Sequence, residues 1–170
     1  SICDNIVNIY NKYENENYII FELEFCDISL EKYIRKYGPL RNKLTFFTDI
    51  LFGITQALKV MNEKGIIHRD IKPGNIYLIG KYNVKIVKIG GFDYSIYSKD
   101  NIYDPVGTIF YTAPEIIKNL QYDEKCDLWS IGITLYELLF GNLPYGKSVT
   151  PNIIKEIIYH DTILNFSKTN

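Results

Sequence analysis

HRDIKPGN, residues 68–75, is the stretch on which the reading of this chain turns. It follows a segment, Lys43 to Lys64, in which Phe47, Ile50, Leu51, Ile54, Leu58 and Met61 recur at helical spacing and which Gly65 closes. The octapeptide has no such period and forms a turn after that helix. Taken singly, its polar residues have ordinary explanations: a loop Asp caps, a loop Lys is solvated, an Asn makes turns. Asp70, Lys72 and Asn75 on one short turn are a different matter, because they gather an acid, a cation and a neutral amide in one place.

Outward from that turn, the pattern predicts a mixed architecture. Upstream, Asn5 to Tyr13 and Tyr18 to Phe25 are β-branched and aromatic runs joined by Glu14-Asn15-Glu16-Asn17, which predicts a hairpin. Ser29 to Tyr37 is a short helix ended by Gly38-Pro39. Downstream, Ile76 to Ile79 and Val84 to Ile89 flank Gly80-Lys81-Tyr82-Asn83 as a second small hairpin, and residues 91–112 form a loop. Asp127 to Phe140 is apolar almost all round and predicts a buried helix; Pro151 to His160 predicts another, with Pro in its first turn. The fold class is α+β and mostly helical.

The 170 residues are 46% hydrophobic and 23% charged, enough for one domain with a sizeable core. Nineteen basic against 20 acidic side chains leave a net charge of −1, so nothing in the charge points to nucleic acid or an anionic membrane as partner. Cys3, Cys26 and Cys126 are scattered and form no CxxC pair, which points to a reducing compartment, cytoplasmic or otherwise intracellular, and no structural zinc. The strongly apolar run Ile131 to Phe140 contains Glu137 and is too short to span a bilayer.

Three blocks then stand in order: His68-Arg69-Asp70-Ile71-Lys72-Pro73-Gly74-Asn75 as HRDxKxxN, Gly107-Thr108 with Tyr111 and Ala113-Pro114-Glu115 as GTxxYxAPE, and Asp127-Leu128-Trp129-Ser130-Ile131-Gly132 as DxWSxG. Several blocks at the right spacing are far more specific than one short motif. Together they make the chain resemble a eukaryotic protein kinase domain of the Ser/Thr type. The resemblance implies a kinase-like α+β fold with a mainly helical large lobe plus the last strands of the small lobe. Residues 1–170 would be a partial kinase domain, with 1–25 the end of the small lobe and hinge and 26–170 an incomplete large lobe. Measured against the family, the Gly-rich loop, the strand Lys, the helix Glu and the C-terminal helices would be absent from these residues, as in a truncated gene model or one segment of a longer product.

By the same resemblance the function is ATP-dependent phosphoryl transfer to protein Ser/Thr in the parent protein, with a pseudokinase binding or scaffold module as the alternative. The partners implied are ATP and a protein substrate, with the missing small lobe or a partner protein against the hairpin. Such transfer depends on positioning and charge neutralisation. Asp70 would orient the attacking hydroxyl and accept its proton, Lys72 would reach the transferring phosphoryl group, and Asn75 would offer a neutral oxygen to Mg. Thr108 would bridge Asp70 and Lys72. Glu24 and Cys26 would lie on the hinge that reads adenine through backbone groups. Leu23 is the gatekeeper in that register and Phe21 in another. Tyr77 would lie beneath adenine, where the family has a small aliphatic residue.

One motif departs from the family. Where Asp-Phe-Gly is expected, residues 91–93 read Gly-Phe-Asp. Phe92 is in register to pack on His68, with Ile9 the next member of that column. Gly91 carries no ligand, and Asp93 lies roughly 6–7 Å further along an extended chain. That is too far for a cation that wants its oxygens at about 2.1 Å, unless the Gly90-Gly91 loop refolds to let Asp93 serve as the metal ligand beside Asn75. Two smaller departures follow. Asp104 stands where a phosphorylated Thr often sits and would pair with Arg69, or else be a solvated turn residue. Glu115 lacks the late Arg that usually pairs with it.

Overall fold

In the computed structural model, residues 3–80, 86–98, 102–146 and 149–160 are described. An antiparallel hairpin comes first, β1 (Ile9–Glu14) and β2 (Ile19–Leu23), turned at Asn15, whose side chain accepts the Asn17 and Tyr18 N–H groups. After β3 (Ile28–Ser29), Ser29 Oγ accepts the Lys32 N–H and caps α1 (Leu30–Tyr37), which stops at Gly38 with φ 75°. The long periodic segment is α2 (Leu44–Glu63), followed by β4 (Ile66–Ile67). Next come β5 (Ile76–Ile79), β6 (Ile86–Ile89), β7 (Ile96–Tyr97) and the short helix α3 (Pro114–Ile117). The chain continues through α4 (Lys125–Phe140) to α5 (Pro151–Tyr159), capped by Thr150.

Among the described residues three small sheets result: β1-β2, β3-β5-β6 and β4-β7, all antiparallel. The core lies between α1, α2, α4 and the three-stranded sheet, where Leu30, Ile50, Ile54, Leu78, Ile89 and Leu138 are essentially inaccessible. The helix α2 is 20 residues long with a mean hydropathy of 1.3, enough to cross a bilayer by length and composition. Its Ile50, Ile54, Ala57 and Met61 are instead buried in this core.

Several expectations are corrected by the fold. Residues 5–8 leave the hairpin and run parallel to β6, with Val7 N–H on Ile89 O and Ile89 N–H on Asn5 O. The segment 91–112 is not wholly a loop: Phe92–Tyr94 make a 3-10 turn, and β7 pairs with β4 because edge strand β4 has free backbone groups to satisfy. The turn and strand start expected at 81–85 lie outside the described residues. One face of α4 is open, with Leu128 54% exposed, since its buried stripe covers only the side toward α2 and the loops. Ile9 is 62% exposed, because among the described residues neither face of the two-stranded β1-β2 sheet is covered, and so it does not extend a column from Phe92.

At the start of α4, Asp127 is wholly inaccessible, and its carboxylate accepts the backbone N–H of His68 at 2.8 Å and of Arg69 at 2.9 Å. Charge-assisted bonds of this kind contribute roughly 1.5–3 kcal/mol each, and a buried orphaned N–H costs a comparable amount. Asp127→Ala is expected to lower the unfolding free energy by about 3 kcal/mol or more in urea titrations. Asp127→Asn should cost nearly as much, because its NH2 group would face a backbone N–H. An Asn variant as stable as wild type would show that the carboxylate is not what holds this loop.

Candidate active site

The turn at 68–75 is held in an unusual shape. Arg69 has φ 67°, in the left-handed region that non-glycine residues rarely occupy. Asp127 holds the N–H groups on both sides of His68, and just beyond them the Asp70 side chain points inward, 5% exposed.

Asp70 accepts four hydrogen bonds. Its Oδ1 takes the Thr108 N–H (2.9 Å) and hydroxyl (2.7 Å); its Oδ2 takes Lys72 Nζ (2.7 Å) and Asn75 Nδ2 (2.9 Å). Lys72 Nζ also donates to Thr108 Oγ1 at 2.6 Å, so the Thr hydroxyl links cation and carboxylate. Burial opposes ionisation of Asp70, but the Lys72 and Thr108 bonds outweigh it and hold the carboxyl below its ordinary value. Gly107 makes this possible: at φ 95° its hydrogen lies against the Arg69 carbonyl, where no Cβ would fit.

On the other side, His68 is buried with its ring 4.7 Å from that of Phe92. Its Nε2 donates to Gly90 O (3.0 Å) and its Nδ1 accepts the Asp70 N–H (3.3 Å), which is the neutral tautomer. Burial pulls its pKa below the ordinary 6.5. Gly90 is packed between Val7 and Tyr77 and gives its N–H to Asn75 O, so it is no loose hinge. Gly91 is left-handed, φ 74° and ψ 49°. A Cβ placed there would come within 2.5–2.8 Å of the Asn75 Cγ, Oδ1 and Nδ2 atoms. Asp93 sits exposed on the 3-10 turn and has no hydrogen bond or ion pair among the described residues.

The hairpin end carries its own ion pair. Glu24 Oε2 accepts from the Asn8 N–H (3.0 Å), Asn8 Nδ2 (2.8 Å) and Lys88 Nζ (2.9 Å). The Glu24 carboxyl is therefore held below its ordinary value, although burial opposes the shift. Glu24 N–H bonds to Asn8 O and Asp27 N–H to Leu78 O; between them, Phe25 and Cys26 make no backbone-to-backbone bond among the described residues. Burial, and then the Glu24 charge, push the Cys26 thiol up. Tyr77, half-buried on β5, presents its ring to Gly90.

Residues 1–169 match the family described as Protein kinase domain. The chain belongs to the protein kinase family. It is 35% identical over 156 residues to calcium-dependent protein kinase 5 of Plasmodium berghei, covering 90% of this chain and 27% of that protein. It is 35% identical over 167 residues to serine/threonine-protein kinase ATG1a of Arabidopsis thaliana (95% and 26%), and 34% identical over 168 residues to an Aurora kinase of Candida glabrata (97% and 45%). The chain thus spans less than half the length of these curated relatives.

Protein kinases use Mg with ATP, so the donor set must be weighed against a divalent cation. It does not fit one. Position 91 has no side chain, all four acceptor directions of the Asp70 carboxylate are taken by protein donors, and Asn75 contributes a single neutral oxygen. Among the described residues, no group of three His, Cys, Asp or Glu side chains is placed to hold a metal.

Around this turn, further pairs tie the neighbouring segments together. Arg69, 8% exposed, donates its Nε to Tyr94 O (2.6 Å) and an Nη to the Tyr122 hydroxyl (2.9 Å), which in turn donates to Asp104 O (2.9 Å). The Asp104 carboxylate reaches Arg69 only at 3.8 Å and is 78% exposed. Tyr111 donates to Glu137 in α4 at 2.6 Å, and burial raises the pKa of both groups. No local pattern announces Tyr122 or Lys88 as partners; only three-dimensional pairing does.

Two outcomes follow. Because unfolded His takes up a proton near 6.5 and folded His68 resists it, its contribution is full above that pH and is lost as pH falls through the lower folded value. Chemical denaturation at pH 7.5 and 5.5 should show stability falling by up to about 1.4 kcal/mol, and His68→Gln should remove that slope. An unchanged slope in the variant would assign it to other groups. Hydrogen exchange over residues 102–112 should increase more in Tyr122→Phe than in Asp104→Asn, since the phenol rather than the exposed carboxylate ties this segment to Arg69. The reverse order would make Asp104 the tether.

Proposed function

We propose that this is a Ser/Thr-type kinase domain that directs ATP-dependent phosphoryl transfer to protein Ser/Thr hydroxyls in the whole protein, at a rate reduced by Gly91. The observation that carries the reading is the closed set of bonds among Asp70, Lys72, Thr108 and Asn75. An ionised Asp70 is the base for the substrate hydroxyl. Its acceptor positions are full, so an arriving hydroxyl replaces a donor; Lys72 is the one able to leave, its ammonium moving from Asp70 to the transferring phosphoryl group. Thr108 and Asn75 keep the carboxylate oriented meanwhile. The backbone of Glu24 to Cys26 takes the adenine edge and Tyr77 lies beneath it, and the exposed hairpin faces meet the rest of a small lobe or a partner protein.

A second reading, a non-catalytic binding module, is favoured by the absent ligand at 91 and the Asn75 side chain packed against it. Radiolabel transfer by the full-length protein separates the two. On the first reading, slow transfer to a Ser/Thr substrate falls by about 10²–10⁴ in Asp70→Asn. Equal, background-level labelling by both proteins supports the binding module instead.

A further inference from the structure

We infer that Asn75 and position 91 do not form a divalent-cation site in this chain, because the Asn75 side chain occupies the space such a site needs. The inference rests on assigning this cleft as the phosphate end of a kinase site. Two observations carry it. The built Cβ at 91 falls 2.5 Å from Asn75 Cγ, 2.6 Å from Oδ1 and 2.8 Å from Nδ2, which is inside van der Waals contact, so the amide lies where any side chain at 91 would begin. The amide is also fastened there, with Nδ2 donating to both the Asp70 carbonyl (2.8 Å) and its carboxylate (2.9 Å). With Lys72 Nζ 2.7 Å from the same carboxylate, the negative charge a metal would neutralise is already met by an ammonium and an amide.

Position 91 therefore decides the metal chemistry through space as well as through charge. Its φ of 74° is tolerated by Gly and, among other residues, best by Asn and Asp. An Asp there would fit the backbone, push the Asn75 amide off Asp70 and set a carboxylate beside the freed Oδ1. Asp93 does not substitute for it, lying exposed on the following turn. The consequence is that ligands of this cleft bind without a divalent cation, and chelation does not weaken them.

Mn2+ alone is the probe, followed in the full-length protein by electron paramagnetic resonance and by broadening of the Asn75 side-chain amide in NMR spectra. Wild type should show no saturable site and an unbroadened Asn75 amide. Gly91→Asp should gain a site at least about tenfold tighter, and adding Asn75→Ala to it should remove the gain. Saturable Mn2+ binding by wild type that Asn75→Ala abolishes overturns the inference, as does a folded Gly91→Asp protein that gains nothing. Should Gly91→Asp fail to fold, the wild-type and Asn75→Ala measurements decide alone. Because no arm measures transfer, an inactive wild type would count against the kinase reading and leave the metal result standing.

Discussion

The site depends on one buried carboxylate. Asp127, at the first turn of α4, has no contact with solvent, and its two oxygens are met by the N–H groups of His68 and Arg69. A lone buried charge would be costly, so the loop has to bring two donors to it. The two N–H groups flank His68, and the chain turns sharply just beyond them, at Arg69, where φ is 67°. Strain of about 1–3 kcal/mol is of the same order as the charge-assisted bonds that maintain it. The turn then directs three neighbours differently: the His68 ring toward Gly90, the Arg69 guanidinium toward Tyr94 and Tyr122, and the Asp70 carboxylate toward Lys72 and Thr108.

A second constraint is charge balance in poorly solvated places. Asp70 is answered by Lys72, and Glu24 by Lys88, whose side chain is 6% exposed. The Glu24-Lys88 pair joins the end of the hairpin to the strand that leads into Gly90 and Gly91, and Asn8 joins both through Glu24. The hairpin itself buries nothing between layers, so this polar junction and the residue 5–8 pairing with β6 fix its base. A junction built from ions and backbone bonds fixes direction well but adds little apolar stabilisation.

The helices were legible in the sequence because their signals are local. Helices start near Ser29 and at Pro151 as expected, Gly38 and Gly65 end their helices, and the apolar spacing of α2 identifies its buried face. The bonds from Asp127 to the loop follow the same logic, since an acid ahead of an apolar run must find donors. What could not be read is non-local. The parallel pairing of residues 5–8 with β6 and that of β7 with β4 involve strands too short to show a period. The open face of α4 and the exposed hairpin were hidden for another reason: apolar composition says which residues favour burial, not whether a neighbour exists to bury them. Asp104 is the exposed turn residue of the second alternative, 3.8 Å from Arg69, and neither alternative included Tyr122, because a hydroxyl bridge leaves no mark on sequence spacing.

The reversed tripeptide is asymmetric in physical terms. Position 91 needs a left-handed residue, and Gly supplies it at no steric cost while giving up a carboxylate. Position 93, where the family has Gly, has no positive φ here, so Asp is accommodated on the 3-10 turn without strain. With Gly at 91 and Asp at 93, Phe92 reaches His68, and His68 holds Gly90. Shape and charge are separable at this point of the fold, because the loop's path is set by φ and by His68 while its affinity for a cation would come from one side chain. A chain that keeps the first without the second holds the path of this loop through Phe92, His68 and Gly90 while carrying no carboxylate at position 91.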